Sequence, residues 1–306
     1  MDDAGLMTVL LAMFAGAIRV STPFLFVALG ECLTEKSGRI NLGLEGTLVF
    51  GAMAAYGVAY ETGDPWLGVL VAGIAGSMFG GLHGIICKLK GVNDIAIGIA
   101  MMLFGTGLAF FFGKAYIQPV APRLPSIHLG GWAESASVAK ALEVNPLFLI
   151  GIVLAVAMAW AFKNTRVGLI VRTTGDSAPA ALALGINVDL VRFLATAVGG
   201  FLAGVGGAFL SLYYPGSWTE GLSSGQGLMA VALVIFARWN PVACFGAALL
   251  FGAAGALGPA LQSIGISRGY HFFNAAPYLM TLVIMMLSIS PKRSLKGAPG
   301  ELSITK

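Results

Sequence analysis

The chain of 306 residues is 57% hydrophobic and only 10% charged, with a net charge of +4. Soluble domains usually carry about 25% charged residues, and several apolar segments here reach the length of about 20 residues that crosses a bilayer. This composition excludes a soluble globular protein. Because the basic residues are dispersed rather than gathered in one patch with aromatic residues, a nucleic-acid partner is not expected.

The apolar segments predict an all-α, polytopic membrane helical bundle with about nine transmembrane helices (8–10), forming a single domain over residues 1–306 in the lipid bilayer. They lie near residues 6–32, 42–60, 66–87, 94–113, 146–162, 193–213, 224–238, 241–261 and 274–290. The chain begins with Asp2 and Asp3 instead of the basic region of a secretory signal, so we expect the N-terminus to be retained.

The basic residues predict the orientation. With the N-terminus outside, thirteen Lys and Arg residues fall in cytoplasmic segments and four in external ones, while Arg19 lies within a span. Because positive residues concentrate on the cytoplasmic side, we expect the N-terminus outside and the C-terminus inside, with a cytoplasmic tail over 291–306. The external loop 114–145 is either a cap over the outer mouth or a connector. For Arg19 we favour a buried structural pair over a contact with solute.

The first polar stretch, "EKSGRINLGLEGTLVFG", covers residues 35–51. Polar, glycine-rich backbone is tolerated at membrane depth only where protein or a water-filled cavity satisfies its hydrogen bonds. Asn41 is predicted to cap the following helix or to line a path, and Glu45 to favour the positive end of that helix. A second short, glycine-led segment, 223–241, runs in the opposite direction in the predicted topology, which favours an inverted repeat around a central path.

Further polar residues stand at predicted helix starts. Asn93 and Asp94 begin the fourth span, and Gln226 begins the segment 224–238; each is either a cap or a contact for a passing solute. His83 is predicted to be a buried histidine rather than a proton relay. The candidate residues of the translocation path are therefore Asn41, Glu45, Asn93, Asp94 and Gln226.

Glycines recur at a spacing of four residues in two spans. They are Gly76, Gly80 and Gly84 in one and Gly200 and Gly204 in the other. Small residues allow helix backbones to approach closely in lipid. We interpret these steps as tight packing within the chain, with a dimer face as the alternative for some of them.

Residues 163–192 form a segment, cytoplasmic in the predicted topology, that is too long for a turn and too polar at its ends for a span. Within it, Ser177 is a candidate N-cap, Pro179 lies in the first turn and Gly185 stops the helix. The sequence predicts a short helix on the cytoplasmic side. Its apolar residues are Ala181, Leu182, Leu184 and Ile186, which need cover from a partner subunit or from the bundle itself.

Signals for catalysis or bound cofactors are missing from the sequence. There is no GxxxxGK[ST] phosphate loop, and no nucleophile, base and orienting group stand at a workable spacing. The three cysteines, Cys32, Cys87 and Cys244, are far apart and lack a CxxC motif, so we interpret them as packing residues. We expect no enzyme activity, no catalytic residue, no metal site and no cofactor.

Residues 163–192 resemble the coupling region of a known family and are called the coupling segment below. The pattern Ala180-Ala181-x-x-x-Gly185 is similar to the loop by which ABC importer permeases dock on their ATPase subunits, with Pro179 in place of the usual Glu, as in branched-chain amino acid and simple-sugar permeases. "GLIVRTTGDSAPAALALGINV" and "SGRINLGLEG" also resemble these permeases, and "NLGLEG" looks more like the nucleoside branch. The resemblance covers nearly the whole chain.

The resemblance implies a permease subunit of an ATP-driven importer in the bacterial plasma (inner) membrane, with a fold like that of type II ABC importer permeases. It implies that an ATP-binding ABC subunit docks on Ser177, Pro179, Ala180, Ala181 and Gly185. It also implies an extracytoplasmic solute-binding protein and a second permease subunit, with a heterodimer favoured. Few charges in the spans suit an uncharged solute, such as a nucleoside or simple sugar.

The alternative function is an ion-coupled secondary transporter or a channel for a small polar solute. Such a protein needs ionisable residues inside the membrane. The candidates that the sequence offers are Glu45, Asp94 and His83, each near a predicted helix end.

Overall fold

The computed structural model describes residues 3–130, 138–139, 142–262, 273, 275–288 and 297–303. Its helices are α1 Asp3–Lys36, α2 Leu44–Thr62, α3 Pro65–Ile86, α4 Asp94–Gly113, α5 Pro146–Asn164, α6 Arg166–Asp176, α7 Ala178–Ala183, α8 Val188–Leu212, α9 Gln226–Phe236, α10 Pro241–Gln262 and α11 Ala276–Ser288. Short 3-10 turns cover Lys114–Tyr116 and Gly300–Ser303. A two-residue antiparallel pair joins β1, Ile127–His128, to β2, Glu143–Val144.

Six helices in the described ranges are long and apolar enough to cross a membrane, which confirms a polytopic helical protein. The spans are Leu10–Lys36, Pro65–Ile86, Asp94–Tyr116, Pro146–Asn164, Val188–Leu212 and Pro241–Gln262. The shorter α9 has only 11 residues, and α2 has 19 residues with a carboxyl near each end. Part of the predicted span 274–290, part of the loop 114–145 and most of the tail 291–306 lie outside the described residues.

Local capping signals explain where several helices begin. Asp64 accepts hydrogen bonds from the backbone N–H groups at the start of α3, and Pro65 follows it. Asn93 and Asn145 cap α4 and α5 in the same way. These side chains satisfy backbone donors that a helix start otherwise leaves unpaired.

Two boundaries differ from the sequence prediction. Helix α1 does not end at residue 32, because it continues through Glu31 and Glu35 to Lys36, and both carboxyls are buried against partners from other segments. Helix α8 begins five residues before the predicted start at 193, since the side chain of Asn187 caps it by accepting from the N–H of Leu190. The coupling segment therefore includes the first turn of α8.

The core of the bundle is built around α8, which packs against α1, α2 and α3. The contact between α3 and α8 requires glycine: a Cβ at Gly76 would lie 2.1 Å from the carbonyl O of Gly200, and one at Gly204 would lie 2.1 Å from the carbonyl O of Ala72. A Cβ at Gly80 would lie 2.1 Å from the carbonyl O of Thr196, and one at Gly84 would lie 2.4 Å from the Oγ1 of the same residue. The predicted packing of these glycines within the chain is confirmed.

The loop after α4 folds down on the bundle. Tyr56 donates its hydroxyl to the carbonyl O of Pro119 at 2.8 Å and accepts from the N–H of Ala121. Arg19 lies 3.9 Å from Glu143 of β2, with about a quarter of each side chain exposed. The expected partner of Arg19 is thus present, although the pair is only partly buried.

The three cysteines are buried and free. His83 is also fully buried, and its Nε2 lies 3.2 Å from the carbonyl O of Ile40. Cys87 lies one turn beyond His83. These positions confirm the interpretation of the cysteines as packing residues and of His83 as a buried histidine.

Candidate functional site

The short helix predicted in the coupling segment is α7. Ser177 precedes it in an extended conformation, and its Oγ accepts from the N–H of Ala180 at 3.3 Å. Pro179 lies in the first turn, where its missing N–H costs no hydrogen bond. The predicted N-cap is therefore confirmed.

The other end of α7 is a Schellman motif. The N–H of Ile186 donates to the carbonyl O of Ala181 at 3.0 Å, and the N–H of Gly185 donates to that of Leu182 at 2.9 Å. This pair of bonds requires a left-handed residue after the helix, and Gly185 has φ +76°. The predicted stop at Gly185 is confirmed.

Helix α7 is covered on one side only. Ala181 is fully buried where α7 packs on α6 and α8, whereas Leu182 and Leu184 are 61% and 71% exposed. Pro179 and Ala180 are also exposed. The bundle thus covers part of the helix, and the described residues leave the remaining apolar surface exposed.

Glu45 joins the two glycine-rich segments. One oxygen of its carboxylate accepts from Ser223 Oγ at 2.5 Å and from the N–H of Gly225 at 3.1 Å; the other accepts from the N–H of Gly227 at 2.6 Å. Carboxylates are stabilised at helix N-termini by unpaired N–H groups and the helix dipole. Glu45 lies in the first turn of α2, as predicted, but its carboxylate binds the start of α9.

Helices α2 and α9 touch at this point. A Cβ at Gly227 would lie 2.6 Å from the Cα of Glu45, so only glycine permits the approach. Beside it, the side-chain Oε1 of Gln226 is buried and has no hydrogen-bond partner among the described residues. Buried polar atoms are nearly always paired, so Gln226 has an acceptor available for a further group.

Asn41 does not cap α2, because the N-cap residue is Gly43 and it offers no side chain. The side chain of Asn41 accepts from the N–H of Gly43 at 2.9 Å and so forms a turn before the helix. Its own N–H donates to Glu31 at 2.8 Å. The predicted N-cap role of Asn41 was wrong, because its side chain closes a turn onto the N–H of Gly43, and Gly43 occupies the N-cap position of α2.

The predicted residues at the start of α4 lie in a different setting. Asn93 caps α4 and is exposed, with its Oδ1 2.8 Å from the N–H of Ile95. Asp94 forms an ion pair with Arg39 at 2.6 Å, in which both side chains are largely buried. The structure thus brings Glu45 and Gln226 to one helix junction, while Asn93 and Asp94 lie at the start of α4, where Asp94 contacts Arg39 of the α1–α2 loop.

Two buried carboxyls at the end of α1 were missed by the sequence reasoning. Glu31 is fully buried and accepts from the N–H of Asn41, and Glu35 accepts from the indole N–H of Trp239. They lie four residues apart, so they share one face of the helix. The four-residue spacing of Glu31 and Glu35 would have indicated a shared helix face, but only for a helix that extends beyond the predicted end at residue 32.

The sequence of residues 13–289 matches the family described as the permease component of the branched-chain amino acid transport system. A permease protein of an ABC transporter from Haloferax volcanii, TsgC13, provisionally assigned to glucose, is 33% identical over 261 residues, 82% of this chain and 78% of the relative.

Two further relatives carry nucleoside names. The nucleoside ABC transporter permease protein NupC of Lactococcus lactis is 28% identical over 302 residues, 91% of this chain and 93% of NupC. The guanosine ABC transporter permease protein NupQ of Bacillus subtilis is 28% identical over 284 residues, 87% of this chain and 88% of NupQ. The family resemblance inferred from the motifs is confirmed, and this chain belongs to the branched-chain amino acid transport system permease family as a permease component of an ABC transporter.

Proposed function

We propose that this chain forms the translocation path of an ATP-driven importer for an uncharged small solute, a nucleoside or a simple sugar. The observation that carries the proposal is α7: a six-residue helix, fixed at both ends, which buries Ala181 and leaves Leu182 and Leu184 exposed. In a chain of this family, an ATP-binding ABC subunit would cover that surface. Its contacts would be Ser177, Pro179, Ala180 and Gly185, while Ala181, the fifth residue of the motif, is buried against the bundle and would hold the helix in place.

The rest of the assembly follows from this assignment. The chain would hydrolyse no ATP itself, and an extracytoplasmic solute-binding protein would deliver the solute. A second, different permease subunit would complete the path. The distribution of basic residues supports an external N-terminus and a cytoplasmic C-terminus. The sequence supports about nine spans in the plasma (inner) membrane of a bacterium, of which six stand out in the described ranges.

The junction of α2 and α9 is the proposed centre of the path. Each helix follows a glycine-rich segment and precedes a helix that begins with proline, α3 at Pro65 and α10 at Pro241. This correspondence supports an inverted repeat. Glu45 and Gln226 would border the path at the junction. Its remaining candidate residues are Asn41, Asn93 and Asp94, which would lie toward the end of the path that α7 occupies.

An uncharged solute fits the electrostatics of this region. The carboxylate of Glu45 already accepts three hydrogen bonds, and that of Asp94 is paired with Arg39. A charged solute that paired with Glu45, Asp94 or Arg39 would have to displace the present partner of that group, and breaking a buried ionic contact is costly. The names of TsgC13, NupC and NupQ also point to glucose and nucleosides.

Reconstitution tests the proposal. The chain, its second permease subunit, the ATPase subunit and the solute-binding protein are incorporated into proteoliposomes, and uptake of radiolabelled guanosine and glucose is measured with and without ATP. We expect uptake only with ATP and all subunits present. The buried Glu31 and Glu35 are the observation that favours the alternative, an ion-coupled transporter. Uptake driven by a proton or sodium gradient without ATP would support that alternative and contradict the proposal.

A further inference from the structure

The C-terminal residues 297–303 lie against the start of α7. Glu301, in the 3-10 turn Gly300–Ser303, accepts from the N–H of Ala178 at 2.8 Å through its Oε1. Ala178 is the first residue of α7, and its N–H is one of the donors that a helix start leaves unpaired. The start of α7 is therefore held by Ser177 locally and by a carboxylate 123 residues further along the chain.

The same carboxylate reaches a second helix. Glu301 Oε2 accepts from Arg192 Nη2 of α8 at 3.1 Å, and the two side chains are only 17% and 14% exposed. Arg192 also donates through Nε to the carbonyl O of Ser37, just after α1, at 3.2 Å. One carboxylate and one guanidinium thus connect α7 with α8 and with the end of α1.

The C-terminal segment is firmly seated on the bundle. Ala298 and Leu302 pack against the hydrophobic core. A Cβ at Gly300 would lie 2.3 Å from the carbonyl O of Asp176 at the end of α6, and Lys36 donates to the carbonyl O of Gly297. Glu301 is therefore presented by a packed segment, which limits how far it can follow α7 without moving its neighbours.

We propose that Glu301 is a positioning residue for coupling: it transmits movement of α7 to α8 and α1 through Arg192. The inference rests on the proposed function, since it takes α7 as the helix that the ATPase subunit moves. Six residues are too few to hold a helix by their own hydrogen bonds, so the orientation of α7 depends on its contacts. Helices α8 and α1 form much of the bundle core, and they would receive the movement.

Glu301→Gln tests the connection with little change in volume. A carboxylate has two acceptor oxygens, one for Ala178 and one for Arg192, whereas a carboxamide has one, so its NH₂ group must face one of the two donors. Glu301→Asp keeps both acceptor oxygens on a shorter side chain and should retain part of the coupling seen in the unaltered chain. Glu61→Gln is the matched control, because Glu61 is exposed at the opposite end of α2 from Glu45.

The measurements are made on the reconstituted transporter. Coupling between sites in proteins amounts to roughly 5–150-fold, and we expect Glu301→Gln to lower solute transported per ATP hydrolysed by about fivefold, with the ATPase subunit still bound in normal yield. Glu61→Gln should leave the ratio unchanged. An unchanged ratio in Glu301→Gln would overturn the proposal. Loss of the ATPase subunit from that variant would overturn it too, since Glu301 would then only maintain the docking surface.

Arg192→Lys gives a second test that keeps the positive charge. Lysine has a single ammonium group, so it cannot hold both Ser37 and Glu301 with the fork geometry of arginine. If both residues act in one connection, the double variant Glu301→Gln/Arg192→Lys should transport as much solute per ATP as whichever single variant has the lower ratio. Additive losses would refute the shared connection. If even the unaltered chain bound no ATPase subunit, the proposed function itself would fail, which is a different result.

Discussion

Gly185→Ala isolates the conformational requirement at the end of α7. Gly185 has φ +76°, and a Cβ built there meets no atom within 4 Å. Within the described residues of this chain, steric overlap therefore contributes nothing, and the cost is that of placing an L-residue in the left-handed region, about 1–2 kcal/mol.

The matched control is Gly107→Ala. Gly107 also has no atom within 4 Å of a Cβ, but it lies inside α4 with ordinary helical geometry. Alanine should be tolerated there or should stabilise the helix by up to about 1 kcal/mol. A comparison of the two variants thus separates backbone strain from the addition of a methyl group.

The assay combines hydrogen exchange with transport. In Gly185→Ala, the strain should weaken the two hydrogen bonds of the Schellman motif. The amides of residues 185 and 186 should therefore exchange roughly 5- to 30-fold faster than in the unaltered chain, as a cost of about 1–2 kcal/mol implies. Gly185→Asn should show a smaller increase, because asparagine tolerates this conformation better. Solute transported per ATP should fall more in Gly185→Ala than in Gly185→Asn. Equal exchange and equal transport in Gly185→Ala and Gly107→Ala would refute the reasoning.

Three further predictions concern the bundle. Glu45→Gln should lower the free energy of unfolding, measured by thermal unfolding in detergent, by about 1.5–3 kcal/mol, which is typical of hydrogen bonds to a charged group. Ser223→Ala should lower it less, because two backbone donors still bind Glu45. A larger loss in Ser223→Ala than in Glu45→Gln would contradict this account. Gly200→Ala should destabilise by about 1–3 kcal/mol, since its Cβ would lie 2.1 Å from a carbonyl O of α3, whereas Gly246→Ala, in open space, should not. Gln226→Leu removes the unpaired acceptor and should change the ratio of guanosine to glucose uptake while subunit assembly is retained; an unchanged ratio would remove Gln226 from the path.

The local signals in the sequence were sufficient to predict the bounds of α7. Ser177, Pro179 and Gly185 act through hydrogen bonds within a few residues, so their effect can be read from adjacent positions. The same holds for Asn93, which caps α4. Apolar segments of spanning length also gave the positions of most long helices within a few residues.

Long-range partners could not be predicted in this way. The carboxylate of Glu45 binds donors about 180 residues away, and nothing in the local pattern distinguishes α9 from α2 as its partner helix. The sequence pattern placed the end of the span near Glu31 and Glu35, because burying a carboxyl in an apolar segment costs free energy unless a partner pairs with it. Their partners, Asn41 and Trp239, come from other segments.

The position of α7 depends on both kinds of information. Its ends are set by Ser177 and Gly185, but its attachment to the bundle requires the buried Ala181 and the carboxylate of Glu301. With local caps alone, these six residues would be free to turn on their two connections, and a docked ATPase subunit could then move them without moving the path. The attachment to Arg192 restricts that freedom. If α7 is the helix that the ATPase subunit moves, coupling would therefore depend on the contacts beneath α7 as much as on the residues that the ATPase subunit touches.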